Sequence, residues 1–417
     1  MSGLCKQSQL EMAFEVFQRA PDRFGATSLI TAFAKSGNLA ASQQVYHFLL
    51  SSHDRPDGFV FHALLNAGRL CEQPGKVVRL VVDDIERLRI QLDDIRFCTT
   101  LVKACGDTQD PVPARRVLRW LKGDRFMKVK VDDMLGAMLI GMCAKCELTE
   151  GDEGERGEVM KLFTDLRAAG FVPGVASWTA LISAYATQGC EKTWDIFDQM
   201  TLAGLQPDRV TFLALLSACC DPSELKRGEE LHSRIKSGMI ADDFLGAALI
   251  SMYSRCGDIE EAMRVFESEI KAKVPANSVD SWNAIIAAGA RQGENMKALA
   301  IYEEMILLGN VSPDLVTFLA VLPACGKVGA LTKGKEIHSL ILKKGIPITD
   351  FLGAALINMY GQTGALDEAV NLFAEMKRSE SGGVSVWTAM ISAYGEHKCI
   401  KEVLDLFDEI ASHSDGR

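Results

Sequence analysis

Cys143 and Cys146 have the C-x-x-C spacing that suggests metal chemistry. Two such cysteines supply two of the four ligands of a structural zinc ion. No second C-x-x-C pair and no histidine pair in the sequence would complete the set. Related cysteines recur in other parts of the sequence as Cys105, Cys219 and Cys325. We therefore predict that these thiols pack in a core, and we predict neither a metal site nor a cofactor.

The motifs of common catalytic sites are absent from the sequence. It has no Walker A motif, no strand-linked G-x-G-x-x-G, and no H-x-E followed by P-C-x-x-C, which a zinc deaminase would carry. Its seven histidines are scattered. Two of them, His232 and His338, occupy equivalent repeat positions and are expected to be structural. The chain by itself is predicted not to be an enzyme.

Composition favours a soluble protein with a large apolar core. Hydrophobic residues make up 48% of the 417 residues, and no apolar run approaches the roughly 18 residues of a membrane span. Lys and Arg total 45 against 55 Asp and Glu, which gives a net charge of −10. This balance disfavours unspecific, charge-driven binding to nucleic acid, although it permits a local site. The N-terminus resembles neither a secretory signal nor a transit peptide.

The sequence repeats itself at intervals of about 35 residues. SWTALISAYATQG at 177–189 returns in related form at 281–293 and 386–398. DRVTFLALLSACC at 208–220 returns at 314–326. Related copies are separated by unlike units, so the pattern has a period of three units. This indicates a repeat architecture.

Each unit predicts two antiparallel helices. The unit that begins at Val175 has one apolar stripe with helical spacing, formed by Trp178, Leu181, Ile182 and Tyr185. A second predicted stripe contains Trp194, Phe197 and Met200. One hairpin cannot bury its stripe alone, so neighbouring hairpins must stack. We predict an all-α solenoid.

The predicted repeats are counted from a recurring helix start. The eleven starts lie at residues 23, 58, 95, 133, 175, 209, 243, 279, 315, 350 and 384. Residues 1–22 are interpreted as the second helix of a partial repeat, and 23–417 as the repeat array. The acidic stretch 147–158 is interpreted as a solvated insert. Because neither end has a polar capping unit, we expect the chain to be part of a longer protein.

The repeat motifs resemble one family closely. A period near 35 residues fits tetratricopeptide and pentatricopeptide repeats. WTALISAY, the ACG turn and the P-D-x-V-T-F junctions at 207–212 and 313–318 resemble the pentatricopeptide family. The units at 175, 209 and 243 resemble the P, L and S motifs of its plant-type subclass, here without the C-terminal extension domain of that subclass.

This resemblance implies a right-handed α-solenoid that binds single-stranded RNA in mitochondria or plastids. Its role would be C-to-U editing site recognition, RNA processing or stabilisation. An editing deaminase, or another RNA-processing protein acting in trans, would then be a further partner.

The resemblance also implies which residues contact RNA. In the family one base is read per repeat, by the fifth residue of the first helix and the last residue of the unit. Transferred to this sequence, the RNA-binding residues are the pairs Thr27 and Asp57, Thr99 and Asp132, Thr179 and Asp208, and Asn283 and Asp314, together with Thr388 in the final unit. The family pattern assigns guanine to a Thr–Asp pair and uracil to an Asn–Asp pair. A terminal Asp accepts hydrogen bonds and so favours bases with an imino N–H.

Several features also fit a protein-binding scaffold without RNA readout. The other fifth positions hold His62, which with Asp94 forms a pair of unassigned preference, and the apolar residues Leu213, Leu319, Ala137, Ala247 and Ala354. An Asp at the end of a unit also serves as a helix N-cap. The net charge and the apolar fifth positions favour a scaffold, whereas the recurring polar pairs favour RNA. The location of Lys and Arg relative to these pairs distinguishes the two hypotheses.

Overall fold

The computed structural model describes residues 2–52, 54–90, 94–122, 130–147, 158–186, 191–238, 243–271, 279–378 and 383–414. Within these ranges the chain forms 23 α-helices and no strand. The predicted all-α fold is therefore confirmed. None of the helices in the described ranges is long and apolar enough to cross a membrane. Most of the predicted acidic insert, at 148–157, lies outside the described residues.

The chain divides into two compact units, Met1–Ala214 and Leu215–Arg417. The helices of the first unit are α1 (Ser2–Arg19), α2 (Arg23–Lys35), α3 (Leu39–Ser51), α4 (Gly58–Leu70), α5 (Pro74–Leu88), α6 (Ile95–Thr108), α7 (Pro111–Lys122), α8 (Asp133–Glu147), α9 (Glu158–Ala168), α10 (Val175–Ala186) and α11 (Lys192–Leu202). Helix α12 (Arg209–Ala218) begins in the first unit and ends in the second.

The second unit continues the same alternation of helices. They are α13 (Leu225–Gly238), α14 (Asp243–Arg255), α15 (Ile259–Val265), α16 (Val279–Arg291), α17 (Asn295–Leu308), α18 (Leu315–Val328), α19 (Leu331–Lys343), α20 (Asp350–Gln362), α21 (Leu366–Arg378), α22 (Val384–Glu396) and α23 (Ile400–Ser414). A 3₁₀ turn at Pro222–Glu224 precedes α13, and a π-helical segment at Phe266–Lys271 extends α15.

Each hairpin consists of an even-numbered helix followed by an odd-numbered one. Within each unit, successive even-numbered helices contact one another, from α2 to α10 and from α14 to α22. Most odd-numbered helices pack on their own even-numbered partner and on the next one. The even-numbered helices therefore form a continuous layer in each unit, and the odd-numbered helices lie against it. Because each hairpin buries its apolar stripe on its neighbours, stacking supplies the core.

The hairpin of α10 and α11 shows how the stripes are buried. Trp178 and Tyr185 are buried in α10, as are the other predicted stripe residues, Leu181 and Ile182. In α11, Phe197 is buried as predicted, and so is Met200. The prediction was wrong for Trp194, which is only half-buried, whereas the neighbouring Thr193 is fully buried. The predicted α11 stripe is thus correct at Phe197 and Met200 and wrong at Trp194, in whose place Thr193 faces the core.

Helix α18 shows how the sequence sets helix ends. Asp314 caps its N-terminus in a capping box with Thr317. Gly329 follows its C-terminus with φ +74°, a left-handed conformation that glycine adopts without steric cost. Pro323 lies inside the helix, on an exposed position, and removes one backbone donor from the helical ladder.

Candidate nucleic-acid interface

The polar side chains selected from the sequence all lie at the fifth residue of an even-numbered helix. Thr27, Thr99, Thr179, Asn283 and Thr388 occupy this position in α2, α6, α10, α16 and α22. Thr388 is exposed, Thr27 and Thr99 are half-buried, and Thr179 and Asn283 each expose only 6% of their surface. The register of these residues on their helices is therefore uniform, whereas their accessibility is not.

The aspartates paired with them directly precede the next even-numbered helix. Each accepts a backbone N–H two or three residues ahead: Asp57 from Val60 at 3.1 Å, Asp132 from Leu135 at 2.8 Å, Asp208 from Thr211 at 2.8 Å and Asp314 from Thr317 at 2.9 Å. All four carboxylates thus cap a helix. Capping uses only part of a carboxylate, which has about four lone-pair sites, so acceptor capacity remains.

Asn283 and Asp314 are joined directly. The Asn283 Nδ2 donates to Asp314 Oδ1 at 3.1 Å. Thr317 connects the same two residues, since its Oγ1 lies 2.6 Å from Asn283 Oδ1 and 3.0 Å from Asp314 Oδ1. The fifth residue of α16 and the aspartate that precedes α18 therefore form one hydrogen-bonded cluster.

Thr179 and Asp208 are joined through a third side chain. The hydroxyls of Thr179 and Thr211 lie 2.6 Å apart, and Thr211 Oγ1 donates to Asp208 Oδ1 at 2.8 Å. The backbone N–H of Asp208 donates back to Thr211 Oγ1 at 3.3 Å. Thr211 thus occupies the place that Thr317 occupies in the other cluster.

The remaining fifth-position threonines bond within their own helices. Thr27, Thr99 and Thr388 donate to the backbone carbonyl four residues earlier, at 2.8, 2.7 and 2.9 Å. No hydrogen bond joins Thr27 to Asp57 in the part of the chain that the structure describes. The same holds, within the described ranges, for Thr99 and Asp132.

The electrostatics of Asp314 follow from these contacts. Burial of the carboxyl acts to raise its pKa. Hydrogen bonds from Thr317 and Asn283 stabilise the charged form and outweigh burial, so the pKa of Asp314 lies below its usual range. At neutral pH this side chain is a carboxylate that accepts hydrogen bonds and cannot donate one.

Exposed apolar residues flank these positions, and the sequence analysis missed them. Large apolar side chains at the second residue of an even-numbered helix are 55% to 83% exposed; they are Phe24, Phe59, Met134, Val210, Phe244, Val316 and Phe351. Positions two and five share one helix face. The signal was present in the sequence, since an apolar residue follows an acidic one at 57–59 and 242–244 and recurs in the P-D-x-V junctions.

Basic residues cluster at the other end of the same helices. The last turn is basic in six even-numbered helices, with Lys35, Arg69, Lys145, Arg255, Arg291 and Lys327. Some are engaged within the protein: Lys145 pairs with Asp107 at 3.2 Å, and Arg255 donates to the carbonyl of Leu216 at 2.8 Å. Lys35 and Lys327 are exposed. Exposed cations therefore lie in the last turns of α2 and α18, although the chain has a net charge of −10.

A cavity of about 290 Å³ lies between α4 and α6, beside the fifth residue of each helix, His62 and Thr99. Its lining includes His62, Thr99, Arg69 and Lys103. The Nδ1 of His62 lies 3.1 Å from the hydroxyl of Thr100. The cavity combines a histidine, hydroxyls and two cations, which are groups that contact nucleotides.

Comparison with known proteins identifies the repeats. A model of the PPR repeat family matches residues 173–221. A PPR repeat model matches five further segments, at 1–23, 248–268, 280–310, 355–381 and 385–414.

The chain is also similar to plant proteins that contain such repeats. It is 28% identical to the pentatricopeptide repeat-containing protein At3g03580 of Arabidopsis thaliana over 82% of this chain and 36% of the relative. It is 32% identical to At5g27110 of the same plant over 67% of this chain and 38% of the relative. The mitochondrial protein At3g09040 is 28% identical over 89% of this chain and 34% of the relative. The chain therefore spans little more than a third of the length of these relatives.

A solved structure shares the fold. The crystal structure of the pentatricopeptide repeat protein PPR10 in complex with an 18-nucleotide psaJ RNA element matches 97% of this chain and 67% of that chain, with 16% identity and a TM-score of 0.54. The stacked hairpins and this likeness define an α-solenoid repeat protein. The family models and the plant relatives support its placement in the PPR repeat family.

Proposed function

We propose that this chain binds single-stranded RNA sequence-specifically and reads one base per repeat. The observation that carries the proposal is the pairing of Asn283 with Asp314 and of Thr179 with Asp208 in hydrogen-bonded clusters. Each cluster places hydrogen-bonding groups at the same two positions of its repeat, the fifth residue of the even-numbered helix and the aspartate before the next one. Bases of unstacked RNA are recognised by such groups on their Watson–Crick edges.

The exposed apolar side chains support a single-stranded ligand. Every base has an aromatic face, so apolar and aromatic side chains bind single strands by stacking. Phe24, Phe59 and Phe351 are exposed one helical turn before the fifth residue. A base stacked on the second residue lies within reach of the fifth residue. Stacking supplies affinity, and the polar pair supplies specificity.

The basic residues support a ligand with a phosphate backbone. Lys35 and Lys327 lie in the last turn of helices whose second residue is exposed and apolar. Cations placed along a protein surface neutralise phosphates irrespective of the net charge of the chain. This arrangement favours RNA over the protein-binding scaffold.

The site of action is proposed from the relatives. Among them, At3g09040 is named mitochondrial and At1g15510 is named chloroplastic. We place the protein in one of these organelles, with a role in RNA processing, stabilisation or recognition of C-to-U editing sites. A deaminase or other RNA-processing protein acting in trans is the proposed partner for editing, because the repeats themselves supply binding only.

The test is selection of the purified chain against a random pool of single-stranded RNA at a stated salt concentration. Specific readout predicts an enriched motif with guanine at the positions assigned to the repeats at 23, 95 and 175, and uracil at the position assigned to the repeat at 279. A matched control uses the variant Asn283→Ala, which should lose only the uracil preference. Absence of any enriched motif would overturn the proposal.

The alternative function, a protein-binding scaffold, has one observation in its favour. An apolar groove of about 360 Å³ lies between α17 and α19, lined by Tyr302, Ile306, Leu307 and Ile337. Leu307 is among the most exposed apolar side chains in the described ranges. The groove lies on odd-numbered helices, away from the polar pairs. A chain that does not bind RNA but binds protein partners through Leu307 would support the scaffold function.

A further inference from the structure

We propose that the repeats at 133 and 350 hold a nucleotide of the RNA without selecting its base, because Asp133 and Asp350 cap the next repeat and exclude a side chain from the last position of their own. The inference rests on the proposed RNA binding and refines its rule of one base per repeat. In the repeats at 23, 95, 175 and 279, the last residue is an aspartate that caps the following even-numbered helix. In these two repeats that position is a glycine, and the first residue of the repeat supplies the cap.

Asp133 caps the even-numbered helix of the following repeat. It is the first residue of α8, and its Oδ1 accepts from the backbone N–H of Gly174 at 2.8 Å and of Ser177 at 3.1 Å. Its Oδ2 accepts from the N–H of Ala176 at 3.1 Å. Burial acts to raise the pKa of Asp133, but the hydrogen bonds from these three residues outweigh burial and hold the pKa below its usual range. Both oxygens of this carboxylate are thus engaged at the start of α10.

Asp350 makes the equivalent contact in the second compact unit. It is the first residue of α20, and its Oδ1 accepts from the backbone N–H of Val386 at 3.2 Å. Val386 is the third residue of α22, as Ser177 is the third residue of α10. Gly383, which precedes α22, makes no side-chain cap of its own. The same cap between neighbouring repeats is therefore present in both compact units.

Each cap leaves no room for a side chain at the last position of its repeat. A Cβ on Gly174 would lie 2.5 Å from Oδ2 of Asp133, and a Cβ on Gly383 would lie 2.8 Å from Oδ2 of Asp350. Both distances are far below van der Waals contact. The aspartate that completes a polar pair in other repeats is therefore excluded from these two.

The fifth residue of both repeats also lacks a polar group, whereas the second residue remains available for stacking. Ala137 and Ala354 have no side-chain donor or acceptor. Met134 is 56% exposed and Phe351 is 71% exposed at the second residue of α8 and α20. Stacking tolerates any sequence because every base has a π-face. Such a repeat holds a base and does not select it.

The sequence shows that the two kinds of cap replace one another. Three repeats begin with an aspartate, those at 133, 243 and 350, and their last residues are Gly174, Ser278 and Gly383. Seven other repeats are followed by a further repeat, and none of them begins with an aspartate. Six of these seven end in one: Asp57, Asp94, Asp132, Asp208, Asp242 and Asp314. A repeat thus supplies its carboxylate from its first position or from its last, and the choice decides whether a polar pair can form.

The test measures binding of the full chain to variants of the RNA selected from the random pool, changed only at the base assigned to the repeat at 133 or at 350. Guanine is compared with adenine and uracil with cytosine, since the members of each pair stack alike and differ in their donors and acceptors. We expect these ratios of affinity to stay within about twofold, against about tenfold for guanine over adenine at the base assigned to the repeat at 175. An RNA from which the nucleotide is deleted should bind more weakly, because the bases beyond it lose their register.

Moving the cap should create base selection. The triple variant Asp133→Val, Ala137→Thr, Gly174→Asp gives the repeat at 133 the first, fifth and last residues of the repeat at 175. It should prefer guanine to adenine about tenfold at its base. Ala137→Thr alone is the matched control and should stay unselective, because Gly174 still supplies no side-chain acceptor. Melting curves establish that each variant is folded under the conditions of the binding measurement.

The outcomes separate the inference from the function on which it rests. A tenfold preference within either pair of bases at these two positions, in the wild-type chain, would overturn the inference. Unchanged affinity for the RNA that lacks the nucleotide would overturn it as well, since the repeat would then hold no base. A folded triple variant that stays unselective would overturn the role of the Asp133 cap. Absence of any selected motif would instead overturn the proposed function. The wild-type comparison needs no substitution, so it decides the inference even when a variant fails to fold.

Discussion

The side-chain amide of Asn283 donates to the carboxylate of Asp314 across 3.1 Å, although 31 positions separate the two residues in sequence. The separation is close to one repeat, so the contact forms because a hairpin returns the chain to the start of the next even-numbered helix. A polar group at the beginning of one hairpin therefore meets the group that follows its end. The pairing of the two positions is a consequence of the hairpin itself.

Replacement of Asp208 by Asn should shift the preference at the base assigned to the repeat at 175 from guanine toward adenine. The amide has a donor where the carboxylate has none, so adenine N1 gains a partner. We expect a change of about tenfold in the ratio of affinities for two RNAs that differ at this base. Asp258→Asn is the control, because Asp258 caps the odd-numbered helix α15 and should change no base preference. An unchanged ratio with intact binding would remove Asp208 from the readout.

Replacement of Phe351 by Ala should weaken RNA binding with little effect on stability. Phe351 is 71% exposed at the second residue of α20, and loss of a stacking surface costs about 1–3 kcal/mol per base. Leu307→Ala is the matched control, since Leu307 is 85% exposed on the odd-numbered helix α17. Direct titration with the selected RNA measures both. Equal losses of affinity in the two variants would contradict a stacking role for Phe351.

Neutralisation of Lys327 should weaken binding to all RNA sequences alike. Lys327 is an exposed cation in the last turn of α18, and a phosphate contact contributes about 0.7 to the slope of log affinity against log salt for single strands. We expect Lys327→Gln to reduce the magnitude of that slope by this amount. Lys401→Gln, on the odd-numbered helix α23, should leave the slope unchanged. A change in base preference rather than in slope would argue against a phosphate contact.

Gly361 and Gly395 should respond oppositely to replacement by Ala. A Cβ on Gly361 would lie 2.8 Å from the Cβ of Ala393 and 3.2 Å from its Cα, because α20 and α22 pack closely there. Overpacking of this kind destabilises by about 1–3 kcal/mol. A Cβ on Gly395 would meet no atom within 4 Å, so Gly395→Ala should stabilise α22 by about 0.5–1 kcal/mol. Urea unfolding of both variants measures the two changes in the free energy of unfolding. Opposite signs would support the contrast, and a stabilised Gly361→Ala would refute it.

His338 should make the stability of the protein depend on pH near neutrality. Burial lowers the pKa of His338, while the charge of Glu375 acts in the opposite direction, and the ring bonds to Tyr360 Oη at 2.8 Å. The unfolded chain, with a histidine pKa of about 6.5, binds the proton more readily than the folded chain. Stability is therefore complete above pH 6.5 and falls as the pH decreases from 6.5 toward the folded pKa, by at most about 1.4 kcal/mol per pH unit.

The measurement is the urea midpoint at pH values between 8 and 5, for the wild type and for His338→Gln. The variant has one titrating group fewer and should lose less stability over this range. The pKa of Asp314 is lowered, so the stability associated with that carboxylate is lost only at lower pH, below its unfolded pKa of about 4. Identical curves for wild type and variant would show that His338 does not contribute.

The helical hairpins were predictable because each stripe depends on local spacing alone. Trp178 and Tyr185 are buried where a 3.6-residue period places them. The half-buried position of Trp194 was not predictable, since the choice between Thr193 and Trp194 at the core is decided by how neighbouring helices pack. Helix ends that depend on tertiary contacts are likewise not predictable from local spacing.

The candidate site was predictable in position but not in its bonding. The family pattern places Thr179 and Asp208 correctly at the fifth residue and before the next helix. It does not show that the buried Thr211 lies between them, because that depends on the approach of α10 to the start of α12. Sequence also does not distinguish Thr179 from Thr27, which bonds to its own backbone instead. Exposure of Phe24 likewise follows from packing that only the folded chain defines.

The short reach of the contacts between hairpins has a consequence for how the chain folds. Hydrogen bonds between neighbouring hairpins join residues 21 to 44 positions apart, from His232 with Tyr253 to Ser177 with Asp133. Contacts this local in sequence give a low contact order and fast folding. Each hairpin that leaves the ribosome can therefore dock on the hairpin before it. Synthesis from the N-terminus can in this way extend an already folded stack one hairpin at a time.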